Sequence, residues 1–237
     1  MTDRNAQHRY LIVNADDFGQ SAGINRGIIA ARENGIVTST SLMVRFRAVA
    51  EAGAYARRNP EFAVGLHIDL GEWRFRNDQW EPVYEVVPLS DPLAVGEEVR
   101  RQVGAFDALV GRPPTHLDSH QHVHLRESVF PVVQEIADRV GVPVRQRSSI
   151  RYCGAFYGQT ADGAPMPEAI RSQSLIKIVR ELERGWTELG CHPGYGNDLD
   201  TMYALERERE VEALCDPAVR ATVADCGIEL RSFGDFI

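Results

Sequence analysis

Residues 11–44 read LIVNADDFGQSAGINRGIIAARENGIVTSTSLMV, and the pattern of this stretch decides the fold class. An apolar run over 11–15 is followed by a helix-like segment over 22–34 and a second apolar run over 36–44. Short apolar runs bounded by turn residues predict strands, whereas apolar positions recurring every three or four residues predict a helix. The alternation continues with a helical pattern over 48–58 and an apolar run over 62–70, which makes β-α-β-α-β. Asn34-Gly35 closes the first helix and Asn59-Pro60 the second, because glycine suits a helix C-terminus and the residue before proline avoids the helical region. Strands connected in this way run parallel and are covered by helices.

Outward from there, residues 72–92 lose the periodicity and predict a polar loop carrying Trp73, Phe75, Trp80 and Tyr84. A helical pattern over 93–110, a run over 115–124, a helix-like stretch over 129–140 and a short strand over 142–145 repeat the unit. A second long loop over 146–171 leads to a helix-like stretch ending at Arg184, a strand over 187–191, helical patterns from about 202 to 224 and a last strand over 228–233. About seven β-α repeats without a break indicate one α/β domain over residues 1–237. The choice is between an irregular (β/α) barrel of about seven strands and an open doubly wound sheet. The first βα junction, Asn14-Ala15-Asp16-Asp17-Phe18-Gly19-Gln20-Ser21, holds two carboxylates and one glycine. That is the wrong chemistry for cradling a pyrophosphate, so a dinucleotide site is not expected there.

Composition narrows the function classes. With 43% hydrophobic residues in 237, the chain can bury about 70% of its unfolded surface, so no metal or disulfide is needed as a staple and any metal is free to be functional. The net charge of -8, without long single-sign runs, argues against a nucleic-acid footprint. No apolar stretch approaches the roughly 20 residues that span a bilayer. The polar start of the chain shows no export signal, and Cys153, Cys191, Cys215 and Cys226 show no Cys-x-x-Cys spacing, so reduced thiols and a cytoplasmic location are expected.

The histidines carry the chemical signal. His116, His120, His122 and His124 fall within nine residues, where about 0.3 would fall by chance, and metal is the obvious reason for such a cluster. His67 and His192 end two other predicted strands. In parallel α/β folds the carboxyl ends of the strands converge on the ligand-binding face, which would bring Asp16, Asp17, His67, His120 and His192 together. Each feature alone has a plain structural reading: an Asp pair after a strand usually caps a helix, and a lone histidine usually satisfies a backbone carbonyl. Their joint placement at the ends of successive βα units favours a metal site. One carboxylate and two imidazoles leave coordination open for water and substrate, and the second carboxylate is then free to take a proton from that water. Spacing does not say which Asp takes which part.

These residues carry a resemblance. Residues 11–19 (LIVNADDFG), 35–40 (GIVTST), 65–67 (GLH), 115–124 (THLDSHQHVH) and 187–194 (TELGCHPG) together resemble the YdjC-like carbohydrate deacetylase family, in order and over nearly the whole chain. The resemblance implies a barrel related to polysaccharide deacetylases that removes an N-acetyl group from a sugar with one divalent metal ion. It implies Asp16 as catalytic base, His192 as general acid, and Asp17, His67 and His120 as metal ligands. Acid–base groups contribute about 10²–10⁴-fold, so electrostatic stabilisation of the oxyanion must supply much of the remaining acceleration.

Other residues are expected around this centre. Strand alternation would put His122 and His124 on the same face as His120, as supporting donors, substrate contacts or buried partners. Asp118 could orient a ligating imidazole or serve a turn, and Arg145 could contact substrate or orient Asp16. Cys191 is expected to pack in the core rather than act as a nucleophile. Tyr152, Phe156, Tyr157, Trp73 and Trp80 are candidates to line a sugar cleft. Zn²⁺ or Mg²⁺ is the expected ion, with Mn²⁺ and Co²⁺ as alternatives. The expected partner is a small N-acetylated sugar, and a homodimer is the default assembly. Two other functions stay open: metal-dependent hydrolysis of a different amide or an ester, and non-catalytic binding of metal or glycan.

Overall fold

In the computed structural model, which describes residues 8–196 and 198–236, strand β1 (Arg9–Phe18) is the axis of the sheet. Residues 1–7, most of the polar start discussed above, lie outside the described residues. From Leu11 onward β1 is buried throughout, as a strand covered on both faces must be. Helix α1 (Ala22–Asn34) follows, with the Ser21 side chain accepting from the Ile24 N–H as its cap. Then come β2 (Ser39–Leu42), α2 (Val49–Arg58) and β3 (Ala63–Ile68). The chain continues through α3 (Pro92–Val110), β6 (Leu117–Ser119) and α4 (Phe130–Val140). It ends with β7 (Arg151–Cys153), α5 (Ser172–Glu181), β8 (Gly185–Cys191), α6 (Glu206–Leu214), α7 (Pro217–Asp225) and β9 (Ile228–Arg231).

Seven strands pair in parallel in the order β6-β3-β2-β1-β8-β7, with β9 also on β1. Both β9 and β2 use β1: Arg9 to Ile12 pair with β9, whereas Asn14, Ala15 and Phe18 pair with β2. The sheet curls into an irregular (β/α) barrel, and all its strands deliver their carboxyl ends to one rim. No helix among the described residues is long and apolar enough to cross a membrane.

Four local expectations need correction. The stretch 72–92 holds an antiparallel hairpin, β4 (Gly71–Arg76) and β5 (Gln79–Glu85), turned by Asn77 and Asp78 at φ 50 and 60. Asparagine and aspartate tolerate that left-handed geometry, and hairpin turns of this hand match strand twist. The strand expected over 142–145 shrinks to one bridge, Leu117 with Val144, because Pro143 has no N–H to donate. Pairing with β8 falls instead to β7, inside the expected loop. The helical patterns expected from about 202 to 224 begin later, at Glu206, and form two helices divided at Asp216, whose side chain caps α7 ahead of Pro217. Finally, the run over 115–124 leaves the strand after Ser119 and becomes a 3₁₀ turn, His120–Leu125, with Gln121 and His122 at φ 49 and 53. Alternation therefore does not put His120, His122 and His124 on one face.

Close packing holds the segment after β8 against α1. A Cβ on Gly27 would lie 2.6 Å from the Gly194 backbone nitrogen, and Gly194 follows His192 by two residues. Alanine would gain about 1 kcal/mol of helix propensity there. Overpacking against backbone costs about 1–3 kcal/mol and wins. Gly27→Ala should therefore lower the urea midpoint at unchanged m-value, with a net loss of about 1 kcal/mol or more.

Candidate active site

Two adjacent carboxylates at the end of β1 are sent to different partners. The β1–β2 register shifts between Ala15 and Phe18, and Asp17 sits at φ 70. A bulge of this kind re-aims one side chain relative to its neighbour. Asp16 receives a two-pronged bond from Arg145, Nη1 to Oδ2 at 2.6 Å and Nη2 to Oδ1 at 2.7 Å, and accepts from Asn14 Nδ2 at 2.8 Å. Asp17 Oδ2 accepts from Arg207 Nη2 at 2.7 Å.

Asp17 Oδ1 faces two imidazoles. His67 Nε2 and His120 Nδ1 each lie 3.3 Å from it, and one ligand atom from each of the three side chains falls within 4.8 Å of the others. Asp17 Oδ1 is buried without a hydrogen-bond partner, as is His120 Nε2. A buried carboxylate oxygen left unbonded between two imidazole nitrogens is a donor set that suits a divalent cation of the zinc type. Burial opposes the charge on Asp17, but Arg207 and the two imidazoles hold its carboxyl well below the ordinary value. Burial likewise opposes protonation of His67, yet Asp118, Asp17 and Asp16 push it up to about 10. The cluster is built to hold an extra positive charge.

Behind the imidazoles lies a polar core. His67 Nδ1 and Asp118 Oδ1 are 2.8 Å apart, so the imidazole that Asp118 orients is His67, across the β3–β6 pair, and not His120 two residues away. Asp118 also accepts from Ser41 Oγ at 2.6 Å and pairs with Arg145 Nη2 at 2.8 Å. Arg145 completes its set on Glu188 Oε1 at 2.7 Å through Nε. It is fully buried against Asp16 and does not line the cleft. His116 is stacked on Phe233 and belongs to the core. His124 is bonded to Ser119 Oγ at 2.6 Å and to the Arg145 carbonyl at 3.2 Å, and it too lies beneath the site. His122 turns toward the Tyr152 hydroxyl at 3.3 Å. Burial lowers His116, His122 and His124 to about 4, so all three are neutral near pH 7.

On the far side of Asp16 stands His192, its Nε2 3.8 Å from Asp16 Oδ2. Burial lowers its imidazole to about 4. Cys191, one residue earlier, is buried with its thiol donating to the Asn14 carbonyl at 3.3 Å, a packing role. Sequence reasoning missed Arg207 and Glu210 of α6, both buried, and the Tyr203 hydroxyl that donates to Glu210. Their signal was hidden in a run of alternating charges that reads as a solvated helix.

A cleft of about 630 Å³ opens over these groups, walled by Trp73, Trp80, Tyr157 and Met202. Tyr157 stacks on Tyr203 with ring centres 4.7 Å apart. Hairpin β4–β5 is docked by Gln121, whose side-chain amide accepts from Trp73 N–H and donates to Trp73 carbonyl, both at 2.8 Å. The next residue, Arg74, donates from Nη2 to the Asp200 carbonyl at 2.9 Å. The cleft therefore has aromatic walls above a polar, charged floor, the form expected for a site that binds a sugar ring.

The family model for YdjC-like proteins matches residues 10–225. A carbohydrate deacetylase of Geobacillus stearothermophilus is 34% identical over 250 residues, covering 96% of this chain and 98% of that protein. A chitooligosaccharide deacetylase of Klebsiella pneumoniae is 34% identical over 258 residues, covering 96% and 99%. Among solved structures, an Enterococcus faecalis protein assigned to cellobiose-phosphate cleavage superposes with a TM-score of 0.78 at 25% identity, over 97% of this chain and 99% of the other. A family 4 carbohydrate esterase of Streptomyces lividans shares the fold with a TM-score of 0.54 at 14% identity, over 94% and 91%.

Removing Arg145 leaves Asp16, Asp118 and Glu188 buried without their countercharge. Arg145→Met should lose about 3–5 kcal/mol near pH 7, measured by urea unfolding. Asp16 and Asp118 have folded pKa values below the ordinary 3.8, so the stability they contribute is complete above that pH and is lost as pH falls through the folded values. The gap between variant and wild type should accordingly narrow in acid.

Proposed function

Since the chain belongs to the YdjC-like family, we propose that it is a metal-dependent N-deacetylase of small N-acetylated sugars. The observation that carries this reading is the convergence of Asp17, His67 and His120 on one point of the cleft floor, with Asp16 and His192 beside it. The names of the relatives support the substrate class. In this reading Asp17, His67 and His120 hold one divalent ion. Two imidazoles and a carboxylate suit Zn²⁺, and an open site also accepts Mg²⁺, Mn²⁺ or Co²⁺. Bound there, the ion supplies Lewis-acid polarisation of the acetyl carbonyl and lowers the pKa of a water toward neutrality.

The chain's own residues do the rest. Asp16, kept ionised by Arg145, is the base that accepts the water proton at a carboxylate oxygen. His192 delivers a proton from Nε2 to the departing nitrogen, because an amine leaves far more readily when protonated. Asp118 fixes the His67 ring by its bond to Nδ1, which leaves Nε2 for the ion. Trp73, Trp80 and Tyr157 offer faces for the sugar ring, and the aromatic walls keep water from competing. The four free cysteines support a cytoplasmic protein.

Acetate release from N-acetylglucosamine oligomers tests the reading, with simple acetyl esters and amides as comparison substrates. Release from esters alone would replace the deacetylase reading with an esterase. Asp16→Asn should retain metal and lose about 10²–10⁴-fold in kcat, whereas Asp17→Asn and His67→Ala should lose metal by elemental analysis and activity together. A chelator should abolish turnover and one of the four divalent ions should restore it.

A further inference from the structure

The hairpin in the cleft wall carries a carboxylate with no partner among the described residues. Glu72 of β4 is only 9% exposed and lines the cleft beside Trp73. Adjacent residues of a regular strand face opposite ways. Here Glu72 pairs with Tyr84 and Trp73 with Pro82, so the register skips Val83, and the twist that such a bulge adds turns both side chains to the cleft. Among the described residues nothing donates a hydrogen bond to the Glu72 carboxylate or forms an ion pair with it. Two guanidiniums of the same wall are turned elsewhere, Arg74 to Asp200 and Arg126 over the Trp73 ring, 4.9 Å from its centre. Glu72 also stands outside the group formed by Asp17, His67 and His120. Burial raises its carboxyl above the ordinary value, as befits an acid without a donor.

A buried carboxylate that no part of the fold satisfies costs stability, so its oxygens call for donors in whatever the cleft binds. Those donors must stand beside an aromatic face, because Trp73 is the next residue and lines the same wall. Sugars supply that combination, with C–H faces that stack on indole rings and hydroxyl groups that donate from the ring edge. On the deacetylase reading, on which this inference rests, we propose that Glu72 is a specificity-determining residue that accepts hydrogen bonds from sugar hydroxyl groups while Trp73 holds the ring. A hydroxyl donating to an ionised carboxylate makes a short, charge-assisted bond, stronger than one between neutral groups. It also discriminates sharply, since an analogue without that hydroxyl leaves the carboxylate buried and unpaired again. An ionised carboxylate only accepts, so a sugar whose hydroxyl is blocked by a substituent is refused together with one that lacks it.

The test is calorimetric binding of the N-acetylglucosamine disaccharide and its monodeoxy analogues to the full chain carrying Asp16→Asn, which stops turnover. At least one analogue should bind about 10–100-fold more weakly than the parent disaccharide. Adding Glu72→Gln should weaken the parent about 10-fold or more, and the discriminated analogue should then bind within about twofold of it, because one and the same bond is lost in both. Metal content by elemental analysis should stay unchanged, and the urea midpoint should hold or rise, since an unpaired buried charge is removed. Analogues that all bind within about twofold of the parent overturn the proposal without any change at residue 72. Loss of metal in Glu72→Gln overturns it as well, because Glu72 would then be a ligand of the ion. So does a deacetylated, cationic disaccharide that binds more tightly than the parent and loses that advantage in Glu72→Gln, since the partner is then an ammonium group. Should wild type release no acetate while the analogues show the expected pattern, the deacetylase reading falls and the Glu72 contact stands.

Discussion

The site depends on one buried guanidinium. Arg145 holds carboxylates from three strands, Asp16 of β1, Asp118 of β6 and Glu188 of β8, with no exposure of its own side chain. Two like charges 4 Å apart repel by about 4 kcal/mol at an effective dielectric of 20, so three carboxylates cannot share this interior without a cation among them. The guanidinium does not serve them equally. Burial raises all three, yet Arg145 carries Asp16 and Asp118 below the ordinary range, whereas burial prevails at Glu188 and pushes it up to about 7. The carboxyl nearest to taking up a proton at neutral pH is thus Glu188, and Asp16 keeps its charge beside His192.

This division explains why two neighbouring aspartates are not redundant. Asp16 is committed to Arg145 and lies beside His192, whereas the bulge turns Asp17 toward His67 and His120, with Arg207 behind it. A regular strand would have pointed the two side chains to opposite faces of the sheet and taken one out of the site. The left-handed Asp17 costs about 1–3 kcal/mol of backbone strain, tolerable because the surrounding bonds determine it. The strain lies at the residue whose oxygen is left unbonded between two imidazoles, where a functional constraint is the natural explanation.

What the sequence made legible follows from how each residue reaches the site. Asp16, Asp17, His67 and His192 sit at or just past the ends of strands whose apolar runs are plain in the chain, and parallel topology alone carries them to one rim. His120 was also legible, but its neighbours were not. A left-handed step at Gln121 and His122 ends the strand, and no residue in His-Gln-His-Val-His announces it. His124 consequently lies under the site and His122 points to Tyr152, where period-two reasoning had aligned them with His120. The hairpin of β4 and β5 was obscured for another reason. Its strands are partly exposed and rich in charge, so its stability comes from docking through Gln121 and Arg74 rather than from an apolar face.

Helix α6 shows the limit of composition most clearly. Its sequence, EREREVEAL, has the charge density of a surface helix, and charge density alone favours solvent. Yet Glu206, Arg207 and Glu210 are buried. Burial of such groups is tolerable only where the partners are polar as well, and here they are Gln159 for Glu206, Asp17 for Arg207, and Tyr203 with the His192 backbone for Glu210. Arg207 and Glu210 are three residues apart and share one helix face. One rigid element therefore sets the carboxylate at the candidate metal centre and the histidine on the other side of Asp16, so any shift of α6 displaces both together. A helix of this kind can be recognised only once the strand-end groups it faces are in place, which is why it belongs to the tertiary structure and not to the sequence pattern.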